Sequence, residues 1–136
     1  MRMIFTIGTF DVLSEKDIRL FHEMRKASIP GGEIYALVYD DYAAYKNTGK
    51  FPIQSYSQRV DNIKYFIRNF LILELEDPGK EIERFRHFNR PEDKYICVMY
   101  DDNKDFPGRS MIKKLGIPIK FIKYEQNNNS NTTARR

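Results

Sequence analysis

The chain has 136 residues, 41% of them apolar and 31% charged, with 23 basic against 19 acidic side chains for a net charge of +4. That is enough chain for one domain with an ordinary core and no staples, under a solvated surface of mixed sign. No apolar run is long enough to span a bilayer, the N-terminus lacks a signal-peptide layout, and no Lys/Arg cluster is dense enough for a nucleic-acid face. The expectation is a soluble, cytoplasmic protein with neither a membrane nor a nucleic-acid partner.

Along the chain, β-rich and helical patterns alternate. Met3–Ile7 reads as a strand and Asp17–Ala27 as a helix. Ile34–Tyr39 follows as a strand and Ser57–Arg68 as a helix. Phe70–Leu75 is a strand, Gly79–Phe88 a helix, Tyr95–Tyr100 a strand, Gly108–Leu115 a helix and Ile117–Ile122 a strand. Strands that are apolar throughout, separated by amphipathic segments, predict a doubly wound α/β domain over 1–124 with a five-stranded parallel sheet. Residues 125–136 are polar and Asn-rich and read as a tail. Cys97 is the only cysteine. An intramolecular disulfide is therefore impossible, and its apolar surroundings predict a buried thiol.

In such a sheet, ligands bind beyond the carboxyl ends of the strands where the strand order reverses. Gly8-Thr9-Phe10-Asp11 and Tyr100-Asp101-Asp102-Asn103 are the two segments so placed. A strand, a glycine turn and a helix also bring backbone N–H groups to a phosphate. Ser14-x-x-Asp17 has the form of a capping box with Asp in place of the usual Glu or Gln, and Ile18, Phe21 and Met24 follow at helical spacing as a core face. Of the two histidines, His22 reads as a surface residue and His87 has no partner visible in the sequence. No Cys/His cluster suggests a metal site, and no nucleophile motif is present.

The run from Gly8 to Asp17 resembles the first motif of the cytidylyltransferases that activate glycerol phosphate, ethanolamine phosphate and similar alcohol phosphates. That family reads Gly-Thr-Phe-Asp-x-x-His-x-Gly-His. Here the first four residues match, but the last four are Ser14-Glu15-Lys16-Asp17. Asp40-Asp41-Tyr42-Ala43-Ala44-Tyr45-Lys46 resembles the family's Asp-Glu-Phe-Asn-x-x-Lys, whose lysine reaches the phosphates. Tyr56-Ser57-Gln58-Arg59 resembles its Tyr-x-x-Arg, and Tyr100-Asp101-Asp102-Asn103 its Gly-Asp-Asp-Trp. Ser130-Asn131-Thr132-Thr133 is a faint match to the end of the last family motif.

This resemblance implies a nucleotide site made by Gly8, Thr9, Phe10, Asp11, Arg59, Asp101, Asp102 and Thr132, with Lys46 as the remaining catalytic group; Lys16, which stands where the family has Gly, is the candidate to supply the missing positive charge there. It also implies CTP with Mg²⁺ and an alcohol phosphate as substrates if the chain is active, and a homodimer. The family's two histidines donate hydrogen bonds to phosphoryl oxygens. Ser14 retains one donor, whereas Asp17 at neutral pH only accepts and adds a negative charge. Loss of one such donor typically lowers the rate by about 100- to 1000-fold. Three readings stay open: a nucleotide-binding or assembly module that has lost normal transfer, an active transferase relying on Lys16, Lys46, Arg59 and a divalent metal, and an interaction protein with no small ligand.

Overall fold

Five apolar segments pair side by side in a computed structural model that describes residues 1–73, 78–87 and 92–123. The strands are β1 (Arg2–Gly8), β2 (Glu33–Tyr39), β3 (Asn69–Leu73), β4 (Lys94–Tyr100) and β5 (Ile119–Ile122). All neighbours are parallel, in the order β3-β2-β1-β4-β5. The described residues form a single α/β domain with a Rossmann-like fold. β1 lies at the centre and the winding reverses between β1 and β4, so the crevice expected between Gly8 and Tyr100 falls at the switch point.

The period of two along the strands sends alternate residues into two core layers. Met3, Phe5 and Ile7 of β1 join Leu37, Tyr39, Cys97 and Met99 on one face. Helices α2 (Asp41–Thr48), α4 (Pro78–His87) and α5 (Arg109–Lys114) cover it with Ala43, Ala44, Ile82, Phe85 and Ile112. Ile4, Ala36, Val38 and Val98 form the other layer beneath Leu20, Phe21 and Met24 of α1 (Glu15–Ser28) and Ile63 of α3 (Tyr56–Ile63). Helices on both faces explain why the strands are apolar throughout.

Several boundaries differ from the sequence reading, each for a local reason. The first helix starts at Glu15, two residues early, because Ser14 is its cap. The third ends at Ile63 and not at Arg68, although Ile67 is still buried. β5 begins at Ile119, after Pro118, which has no N–H to donate but gives its carbonyl to the Cys97 amide at 3.0 Å. Helix α2 was not expected at all. Only Ala43 and Ala44 of its eight residues are buried, so no amphipathic stripe announces it. It forms because the Asp40 side chain accepts from the Ala43 amide at 2.7 Å and Gly49 ends it at φ 82°. Leu75 of the third expected strand, Phe88 of the expected helix Gly79–Phe88, residue 124 of the expected domain and the tail 125–136, with Thr132, lie outside the described residues.

No helix among the described residues is long and apolar enough to cross a membrane. Cys97 is fully buried, and burial pushes its thiol well above the ordinary range. Since the thiolate is the reactive form, the folded protein is expected to resist a thiol-reactive dye at mildly alkaline pH and to label only once denaturant opens the sheet. Rapid stoichiometric labelling of the folded protein would contradict this placement.

Candidate functional site

β1 leaves the sheet at Gly8 and the chain turns sharply before Ser14. Phe10 and Val12 in this turn have φ of 54° and 46°, a left-handed conformation that costs non-glycine residues about 1–3 kcal/mol each. The Phe10 ring folds back over Gly8, where a Cβ would come within 2.9 Å of its Cζ. Gly8 is therefore required by close approach. Phe10 also meets the Phe21 ring at 5.5 Å and is nearly buried, which offsets part of the strain.

Two charged residues hold the turn from behind. The Asp11 carboxylate accepts from the amides of Ile53 at 2.7 Å and Gln54 at 2.9 Å. The Gln54 side-chain oxygen in turn accepts from the Val12 amide at 3.1 Å and from Asn62 at 3.2 Å. Arg59 is wholly buried. Its guanidinium donates to the Thr9 carbonyl at 2.6 Å, the Gln54 carbonyl at 3.2 Å and the Asp41 carboxylate at 2.8 Å. The loop that carries Thr9, the loop 51–55 and the start of α2 thus meet on one guanidinium. Arg59 and Asp11, which the resemblance places on the nucleotide, make these ties and are not among the residues that line the crevice. Asp41, Gln54 and Asn62 were not singled out in the sequence.

In front of these ties is a crevice of about 140 Å³, lined by Gly8, Thr9, Phe10, Lys16, Asp17 and Asp102, among others. The start of α1 is closed on itself. The Ser14 hydroxyl accepts from the Asp17 amide at 3.4 Å and the Asp17 carboxylate accepts from the Ser14 amide at 3.0 Å, a reciprocal capping box. The Ser14 hydroxyl also lies 3.1 Å from the same carboxylate oxygen. Across the opening, Lys16 Nζ stands 3.0 Å from the Asp102 carboxylate and 4.9 Å from the centre of the Tyr100 ring. The Tyr100 hydroxyl donates to the Lys16 carbonyl at 2.7 Å, and burial pushes its pKa up. Both ends of the ion pair are partly exposed, so it adds little stability. Its effect is geometric, since it ties the first turn of α1 to the end of β4.

Lys46 lies exposed in the last turn of α2 and does not line the crevice. The Asp101 amide donates to the Ile122 carbonyl at 2.9 Å, fixing the turn that presents Asp102. Among the described residues no group of three His, Cys, Asp or Glu side chains is placed to hold a metal. The crevice is well below the roughly 300–1,000 Å³ of ordinary small-molecule pockets. As it stands it fits a single phosphate or small polar group, with the Asp17 carboxylate opposing an anion and Lys16 favouring one.

A larger cavity of about 460 Å³ opens at the opposite end of the sheet, beside Arg25, Lys64 and Arg68. Arg25 donates to the Phe66 carbonyl at 2.8 Å just past α3. Arg25 is in the last turn of α1 and Lys64 caps α3, so their charges offset the negative ends of those helices. The volume there is explained by structure, and the switch-point crevice stays the candidate.

No protein-family model and no curated protein matches the chain. Solved structures do match. One is the crystal structure of a lipopolysaccharide core biosynthesis protein from Thermoplasma volcanium GSS1, with a TM-score of 0.66 and 25% identity over 94% of this chain and 99% of that one. The shared fold runs nearly end to end in both.

Replacing Arg59 with Ala leaves the Thr9 and Gln54 carbonyls without their donor and a cavity at the centre of the knot. A loss of at least about 2 kcal/mol in chemical denaturation is expected. Arg59→Lys should recover little of it, because an ammonium cannot reproduce the planar fork. Wild-type stability in either variant would show that the guanidinium is dispensable.

Proposed function

We propose that the chain is a cytidylyltransferase-like protein whose nucleotidyl transfer has been lost or greatly weakened, and which serves as a nucleotide-responsive or assembly module in the biosynthesis of a surface glycan or lipid. The observation that carries this reading is the capping box. Ser14 and Asp17, which stand where the resembled family has its two phosphate-facing histidines, are hydrogen-bonded to each other and to the backbone of their own helix. Neither aims an N–H donor at the crevice, and Asp17 sets a carboxylate beside it. Lys16, the one cation lining the crevice among the described residues, is engaged with Asp102. The pathway rests on the lipopolysaccharide core biosynthesis protein whose fold this chain shares.

For the reaction itself, the attack of an alcohol phosphate on the α-phosphorus of CTP, the protein must position the groups and stabilise charge on the phosphoryl oxygens. This crevice offers the backbone of the Gly8–Phe10 turn and, after release from Asp102, the Lys16 ammonium. Mg²⁺ bound to the triphosphate would supply charge neutralisation that no described carboxylate cluster provides. With two histidine donors lost at about 100- to 1000-fold each, pyrophosphate release from CTP and Mg²⁺ with glycerol 3-phosphate or ethanolamine phosphate is expected to run at least about 10⁴-fold below an ordinary enzymatic rate. Turnover at an ordinary enzymatic rate, on the order of 10 s⁻¹, would overturn the proposal and favour an active transferase with an unusual first motif.

A further inference from the structure

Among the described residues, three charged side chains line the switch-point crevice, Lys16 against Asp17 and Asp102. Asp17 is engaged in the cap of its own helix. The charge at the opening is therefore set by Lys16 and Asp102, whose ammonium and carboxylate stand 3.0 Å apart. Tyr100, two residues before Asp102, meets the same turn of α1. Its ring lies 4.9 Å from Lys16 Nζ and 6.0 Å from the Arg19 guanidinium, and its hydroxyl donates to the Lys16 carbonyl at 2.7 Å. Lys16 and Tyr100 both stand at glycine positions of the resembled motifs, so neither side of this bridge comes from that pattern.

We infer that Asp102 is a built-in competitor for a phosphate group at Lys16. Its carboxylate holds the ammonium across the crevice until a phosphate, free or carried on a nucleotide, takes its place. This rests on the nucleotide-responsive reading proposed above and names the device that makes the response.

Three features of the geometry suit it to that exchange. First, the closed pair is weakly held. The two side chains are 39% and 40% exposed, and an ion pair so accessible favours the closed arrangement by no more than about fivefold. A phosphate group brings about two negative charges at neutral pH against the one of the carboxylate. Second, the ammonium can move while the helix stays seated. The Tyr100 hydroxyl holds the backbone of Lys16, not its side chain, and Arg19 donates separately to the Lys123 carbonyl at 3.4 Å. Only the flexible stem of the lysine has to swing. Third, both members of the pair line a crevice of about 140 Å³. That volume admits a phosphate with the pair closed, and a larger phosphate ester enters only with the pair apart.

Calorimetric titration of the full chain with inorganic phosphate, and separately with CTP and Mg²⁺, tests the competition. Asp102→Asn keeps the shape of the side chain and removes its charge. This variant should bind at least one of the two probes about fivefold more tightly than the unaltered protein, the factor by which the pair holds Lys16. A gain with CTP assigns the site to the phosphates of a nucleotide, and a gain with inorganic phosphate alone assigns it to the free ion. Removing any nearby negative charge helps an anion, so the same change is also made beside Lys16→Ala. In that background the gain should fall below about twofold, the difference being the coupling of the two residues. Circular dichroism shows whether each variant is folded. No gain with either probe in Asp102→Asn would overturn the inference, and so would an equal gain without Lys16. Ordinary turnover by the unaltered protein would overturn the loss of transfer proposed above and leave this competition standing.

Discussion

The fully buried guanidinium of Arg59 is the constraint on which the candidate site depends. It joins the carbonyl of Thr9, the carbonyl of Gln54 and the carboxylate of Asp41, three points on segments that no regular secondary structure links. A buried charge is tolerable only when paired and hydrogen-bonded. These partners meet that condition and convert the cost of burial into a fixed geometry. Phe10 and Val12 hold left-handed backbone in the turn that Arg59 and Asp11 anchor. Without those anchors the strain would be relieved by rearranging the turn, and the crevice at the sheet's switch point would lose its wall.

In front of that frame, the start of α1 shows a different allocation of the same helix end. A helix N-terminus carries free N–H groups and the positive end of a dipole, and an anionic ligand or a capping side chain can satisfy them. In this chain the capping side chains are in place. Ser14 and Asp17 complete each other's bonds, Lys16 turns to Asp102, and the crevice between them is small. The local polar groups at this helix start serve the stability of the helix. Both states use one set of backbone donors, so a gain in capping is a loss in ligand binding.

Much of this was legible in the sequence, and the exceptions share a cause. β1, β2 and β4 declared themselves because strands buried on both faces are apolar at nearly every interior position, the buried Thr6 of β1 being the exception. Ser14-x-x-Asp17 was readable because a cap is a local pattern of four residues. Gly8 and Asp102 were correctly brought to one crevice by topology. Helix α2 was hidden because two alanines are its whole buried face. Arg59 was read as a ligand contact because Tyr56-Ser57-Gln58-Arg59 resembles the family's Tyr-x-x-Arg, and two of its partners, Thr9 and Asp41, lie 50 and 18 residues away along the chain. The Lys16–Asp102 pair spans 86 residues, and only the completed sheet brings its two ends together.

The exchange between cap and ligand at the start of α1 is tested most directly by thermal unfolding of a Ser14→His/Asp17→His variant beside the unaltered protein, each with and without CTP and Mg²⁺. Without ligand the variant should melt lower, in line with the roughly 0.5–2 kcal/mol of a lost cap. With ligand the variant should be shifted upward more than the unaltered protein, because ligand that binds only the folded state raises its stability. A variant as stable as the parent, or a parent stabilised by CTP as strongly as the variant, would contradict the assignment of Ser14 and Asp17 to capping in place of phosphate binding.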